Sequence, residues 1–173
     1  ITSVPFCTYF PVPETILLEK RQLRNDRAVW DVMGSYDPST RVISICEPAV
    51  TEIAEKLKVE TNHRYLTKDE VYSLLSELVR LHEHAHAFTH TSTLDAFIKN
   101  IFEAANIEFE ECSNRDKWYR RLGSDIHEPL AEFISYILLT RTGEGESLPT
   151  RVFHDTERNF PLPPHYLKWK DLW

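Results

Sequence analysis

Between residues 68 and 89 the apolar side chains recur at helical spacing. Val71, Leu74, Leu75, Leu78, Val79 and Leu81 fall on one arc, and Ser73, Ser76, Glu77, Arg80 and His84 on the other. Thr67-Lys68-Asp69-Glu70 is a capping box, a Thr cap with a Glu three residues on. Asp69 and Glu70 also suit the positive end of a helix. The pattern predicts a helix from about Lys68 to Thr89. A second helical stretch starts at Ser124 as N-cap. It runs through Ile126, Leu130, Phe133, Ile134, Ile137 and Leu138 to about Thr140, with Gly143 at its end. Pro129 is acceptable there only if it lies in the first turn.

The remaining pattern is weaker. Residues 1–14 carry Pro5, Pro11 and Pro13 and read as an extended arm. Thr15–Arg24 reads as a short helix. Ala28–Tyr36 and Arg41–Cys46 read as strands around the turn Asp37-Pro38-Ser39-Thr40. Ala49–Lys58 reads as a helix, a further one starts at Ser92 or Thr93 and runs to about Glu110, and Asn114–Leu122 is a short one closed by Gly123. Residues 144–173 alternate Pro149, Pro161, Pro163 and Pro164 with Phe153, Phe160, Tyr166, Trp169 and Trp173. They read as a tail that packs over the core and can limit access to a cleft. The expected fold is α+β: mostly helical, with a small hairpin or sheet ahead of the 68–89 helix, in a single domain over residues 1–173.

Composition agrees with one compact domain. The chain has 173 residues, 42 % of them hydrophobic, enough for a sizeable core. Its net charge of −7 gives no support to a nucleic-acid or anionic-membrane partner. No apolar run of membrane length and no signal-peptide pattern is visible. Cys7, Cys46 and Cys112 are odd in number and scattered, which leans toward a reducing, cytoplasmic setting rather than a disulfide framework. Oligomeric state is open.

The chemistry lies in His82-Glu83-His84-Ala85-His86, which fits H-E-x-x-H. Histidines four apart on a helix share a face, about 40° apart and roughly 6 Å along the axis. At 100° per residue both fall inside the apolar arc, so two imidazoles can reach one Zn²⁺. Glu83 projects beside the metal, where it can take a proton from water. A rival parse, His82-x-His84-x-His86 on a strand, conflicts with the helical period and cap around it. His84 then reads as solvated surface. His90 extends the row and can be a third ligand, a partner behind a ligand, or a helix-end histidine.

A catalytic zinc needs a third protein ligand and an open position. Glu128 and Glu132 lie one turn apart, off the main apolar stripe. Such a pair is commonly a solvated face. Here Ala131, Ser135 and Leu139 share the side, small enough for another helix to approach. Glu128 then reads as the third ligand, and Glu132 as a carboxylate holding the free nitrogen of a ligand histidine.

H82-E83-x-x-H86 followed by a helix bearing E128-x-x-A131-E132 resembles the gluzincin clan of zinc metallopeptidases, thermolysin-like enzymes and minigluzincins included. That resemblance implies a zincin-like fold, Zn²⁺ on His82, His86 and Glu128, Glu83 as general base, and Glu132 as support of a histidine. Val32 to Ile45 resembles the hairpin that precedes the active-site helix in small zincins. There is also likeness to the ImmA/IrrE peptidases, which share H-E-x-x-H-x-x-x-H, with His90 in the last position. The likeness covers about residues 28–141, with a longer gap between His86 and Glu128 than in the compact relatives.

The activity implied is zinc-assisted hydrolysis of a peptide or protein substrate. Tyr119 and His154 are candidate donors to the oxyanion. The Arg41–Cys46 strand, if at an edge, can bind an extended substrate by strand addition. Cys7 could place a thiolate on the metal. The competing class is a zincin-fold regulatory or protein-binding module that holds zinc without general peptidase activity.

Overall fold

The computed structural model describes residues 14–18, 29–60, 66–91, 119, 123–141, 147–160, 162 and 164. In chain order these form β1 (Glu14–Leu18), α1 (Val29–Met33), β2 (Gly34–Asp37), β3 (Val42–Cys46), α2 (Glu47–Glu60), α3 (Lys68–Thr91), α4 (Ser124–Arg141) and α5 (Leu148–Asn159). The described part is α+β and mostly helical, with one three-stranded sheet. Among the described residues no helix is long and apolar enough to cross a membrane.

The helix at 68–91 forms as its cap predicts. Thr67 Oγ1 accepts the Glu70 N–H at 3.2 Å, and Glu70 Oε2 accepts the Thr67 N–H at 2.7 Å. Its buried face starts with Val71, Leu75, Leu78 and Val79 and continues through His82, Glu83, His86 and His90. The same stripe is therefore hydrophobic at one end and chemical at the other. His84 is half-buried, its Nδ1 2.7 Å from the Arg80 carbonyl, so it is not fully solvated.

The second long helix also forms, but Ser124 is its first residue rather than its cap. Gly123, at φ +71°, turns the chain, and its carbonyl accepts the N–H groups of Ile126 and His127. Pro129 is the sixth residue of α4, beyond the first turn. The face turned inward carries Glu128, Ala131, Glu132, Ser135 and Leu139, and Phe133, Ile134, Ile137 and Leu138 are only half-buried. Small residues let α4 lie against α3.

The sheet differs from expectation. Its order is β1-β3-β2, with β1 parallel and β2 antiparallel to β3. Residues 14–18, expected as extended arm and the start of a helix, form a strand instead, because Thr15 to Leu18 pair with Ile43 to Cys46. That partner is distant in sequence and leaves no local signal. Residues 29–33, expected in a strand, form one turn of helix that buries Trp30 and Met33 together. The strand starts only at Gly34, where α1 ends. In the turn, the Asp37 carboxylate accepts three bonds from Ser39 and Thr40, and Arg41 takes a left-handed φ of 58°. These bonds hold the Asp37 carboxyl below its usual range. Because β3 is central, Arg41–Cys46 is no edge; among the described residues β2 is.

The region expected as a Pro-rich tail contains α5. Ser147 caps it, accepting the Thr150 N–H at 3.4 Å, and Pro149 sits in the first turn, where proline starts a helix. Val152 and Phe153 join a core that includes Trp30, Met33, Ile43, Ile45, Leu57, Leu75 and Val79. Within the described residues this segment completes the core rather than covering a cleft. The expected helices at 93–110 and 114–122 lie outside the described residues, apart from Tyr119, as do Cys7, Cys112, residues 1–13 of the arm and the end of the tail.

Candidate metal centre

The two helices bring three expected ligands to one point. His82 and His86 leave α3 one turn apart, and Glu128 reaches them from the start of α4. His86 Nε2 lies 3.1 Å from His82 Nε2 and 3.1 Å from Glu128 Oε2, and His82 Nε2 lies 3.4 Å from the same oxygen. All three side chains are buried. Donors about 2.0–2.2 Å from a tetrahedral ion must lie about 3.3–3.6 Å apart. The observed separations are close to that, so the residues fit a small tetrahedral metal ion.

Charge points the same way. Glu83, Glu128 and Glu132 are 2 %, 6 % and 0 % exposed. Three buried carboxyls around two imidazoles are costly unless positive charge compensates them. Burial alone would lower His86, but the Glu128 carboxylate overrides it and carries His86 up to about 9. His82 stays down at about 4, because burial outweighs its bond to Glu128. Burial works to raise Glu128, yet His86, His127 and His82 together hold its carboxyl far below the usual carboxylate range.

Behind the ligand histidines, a hydrogen bond holds His86, whereas His82 only faces a carboxylate beyond hydrogen-bond distance. His82 Nδ1 lies 3.8 Å from Glu132 Oε1. His86 Nδ1 lies 2.9 Å from the Tyr119 hydroxyl. These contacts leave both Nε2 atoms turned to the common point. Trp30 lies against His82 at 6.1 Å with 20° between the planes, and Phe153 lies on Trp30 at 5.6 Å.

Glu83 lies beside the group, outside the ligand set. Burial raises its carboxyl to about 8, with His86 opposing and Glu128 and Asp31 adding to the rise. The backbone N–H of Tyr36 donates to it. Gly34 presses on the same side chain: a Cβ there would stand 3.0 Å from Glu83 Oε1 and 2.5 Å from Val79 Cγ1. Strand β2 therefore passes directly over the Glu.

A cavity of about 350 Å³ opens at this point. Its walls include Gly34, Ser35 and Tyr36 of β2, together with Glu83, His86 and Glu128. Tyr119 and His127 complete one side as stacked rings, 5.3 Å and 24° apart.

Two other expected residues lie elsewhere. His90 is fully buried but outside the ligand group; its Nδ1 lies 2.9 Å from the Tyr36 hydroxyl. His154 is not among the cavity residues. It lies against Tyr136 and Phe153, 3.7 Å from Glu157, because two residues along a helix turn it about 200° away from the core-facing Val152. Sequence reasoning missed His127, whose one signal was its place directly before Glu128. It also missed Gly34, whose close approach to α3 has no sequence signature.

Compared with known proteins, the chain matches no protein-family model, no curated protein and no solved structure.

Proposed function

We propose that this chain is a zinc-dependent metallopeptidase of the zincin kind. The observation that carries the reading is the convergence of His82, His86 and Glu128 at tetrahedral spacing, with Glu83 beside them and a cavity in front. Two imidazoles and one carboxylate are a catalytic-zinc ligand set, since they leave a fourth position for water or substrate. The resemblance of H82-E83-x-x-H86 and E128-x-x-A131-E132 to gluzincins supports the same reading.

Zinc held by these residues would polarise a scissile carbonyl and acidify water toward a pKa near ~7. Glu83 removes the proton from the attacking water and delivers it to the leaving amine nitrogen. A cation held by these residues would bring its carboxyl down from about 8, toward the ionised form a base needs near neutral pH. His82 and His86 serve as neutral ligands through Nε2, their Nδ1 atoms facing Glu132 and Tyr119. The Tyr119 hydroxyl faces His86, which supports a holding role for it over an oxyanion role. An extended peptide can add to β2, the sheet edge at the cavity, by strand pairing.

The test is cleavage of an unstructured protein by the zinc-loaded chain and by its Glu83→Gln variant. The amide keeps the shape and hydrogen bonding of the side chain but cannot take a proton. We expect equal zinc content and a loss of activity of about 10²-fold or more. Equal activity in the two proteins would remove Glu83 as base. No cleavage by either, with zinc bound, would favour a binding or regulatory module on the same scaffold.

A further inference from the structure

Behind the ligands, on the cavity side, Tyr119 and His127 lie face to face with 5.3 Å between ring centroids and 24° between planes. Each touches a different ligand. The Tyr119 hydroxyl is 2.9 Å from His86 Nδ1. His127 Nδ1 is at ion-pair distance, 3.1 Å, from Glu128 Oε1. The other oxygen, Oε2, is the one that approaches both Nε2 atoms. One oxygen of Glu128 thus faces the ligand group, and the other lies close to His127 Nδ1 without an aligned hydrogen bond.

We propose that the stacked Tyr119–His127 pair is a clamp that fixes two of the three ligands, and that His127 keeps Glu128 a one-oxygen ligand. The proposal rests on the metal-centre reading above. The chemistry follows from geometry. A carboxylate with both oxygens free can rotate and chelate a cation through both, which fills the position a substrate or water needs. The His127 ring, with Nδ1 3.1 Å from Oε1, stands in the way of that rotation. His86 is held differently. A neutral imidazole that offers Nε2 to a metal carries its proton on Nδ1, and that proton is donated to the Tyr119 oxygen. The stack makes the two contacts mutually supporting, since neither ring can tilt without moving the other. On the deep side Glu132 approaches His82 Nδ1 at 3.8 Å, beyond hydrogen-bond distance. Neither Tyr119 nor His127 meets the reacting atoms in this account; both are positioning residues.

The experiment uses the full chain loaded with Co²⁺ or Zn²⁺ in place of any native metal. Co²⁺ absorbs strongly in the visible when four-coordinate and weakly at higher coordination number, so its spectrum reports how Glu128 binds. Zinc affinity is measured by competition with a chelator. H127F keeps the stack and loses the ring nitrogens. It should weaken the cobalt bands as Glu128 takes up two-oxygen coordination, and kcat should fall more than KM rises. H127N, which restores a donor near the place of Nδ1, should recover the wild-type spectrum. Y119F should leave the band pattern intact and weaken zinc binding by about 10-fold or more. H84A, on the outer side of α3, is the control and should match wild type in both readouts. If H127F loses its helical circular dichroism signal, H127L enters the same comparison with H127N. Wild-type spectra and affinities in the folded His127 and Tyr119 variants would overturn the clamp. A wild-type chain that binds neither ion would instead overturn the metal centre itself.

Discussion

Glu83 is where burial and chemistry meet most sharply. Its carboxyl is raised to about 8, first by burial and then by the charges of Glu128 and Asp31. A raised folded-state pKa stabilises the fold through the neutral form. That contribution is complete below the ordinary value of 4.5 and is lost as pH climbs through about 8. We therefore expect chelator-treated Glu83→Gln to gain on wild type as pH rises from 5 to 8.5, by more than about 1 kcal/mol, since a tenfold change in ionisation is worth about 1.4 kcal/mol. Urea unfolding at the two pH values measures it. A difference that stays flat with pH would mean that the folded chain already holds Glu83 ionised. At this scale the sequence was informative where one helix carries the pattern. His82, Glu83 and His86 are legible because i, i+1 and i+4 fix their directions without any partner. Glu128 was legible from the small residues on its face. Tyr119 and His127 acquire their roles only when they meet α3, 33 and 41 residues along the chain from His86, and that meeting has no local signal.

Among the elements, β2 and α3 are the most tightly matched. Gly34 allows the strand to cross α3 directly above Glu83 and Val79. Gly34→Ala would place a methyl in atoms of both. We expect it to retain zinc, because no ligand moves directly, and to lose peptidase activity by at least about 10-fold as the Glu83 carboxyl is displaced. Adding Val79→Ala removes the 2.5 Å clash but not the 3.0 Å one. Activity should therefore stay low in the double variant while its melting temperature recovers. Full recovery of activity would show that the glycine serves packing alone. Elements were legible in proportion to their local signals. The capping box and long periodic stripe of α3 are local. So is the Ser147 cap of α5, hidden here by prolines taken as breakers when Pro149 is a helix starter. The single turn of α1 and strand β1 depend on what they pack against, and a five-residue segment cannot declare that by itself.

For the whole molecule, the core and the site are one structure. Phe153 of α5 lies on Trp30 of α1, and Trp30 lies on His82. Helix α5 thus backs a ligand through two rings. Phe153→Ala should cost about 3–5 kcal/mol of stability in the chelated protein, as expected for a buried Phe. It should also weaken zinc binding, since His82 loses its support. Phe153→Leu, which fills much of the volume, should restore stability more than affinity. Thermal melts with and without zinc separate the two effects. Affinity unchanged in a folded Phe153→Ala protein would show that the stack ends at Trp30.

The central claim is that His82, His86 and Glu128 hold one metal ion, and metal analysis of the purified chain tests it most directly. About one zinc per chain is predicted for wild type, for His84→Ala and for His90→Ala, with the metal lost in His86→Ala and Glu128→Ala and held 10–100-fold more weakly in Glu132→Ala. Zinc retained by the Glu128 variant and lost by the His90 variant would contradict the account and make the third ligand a histidine.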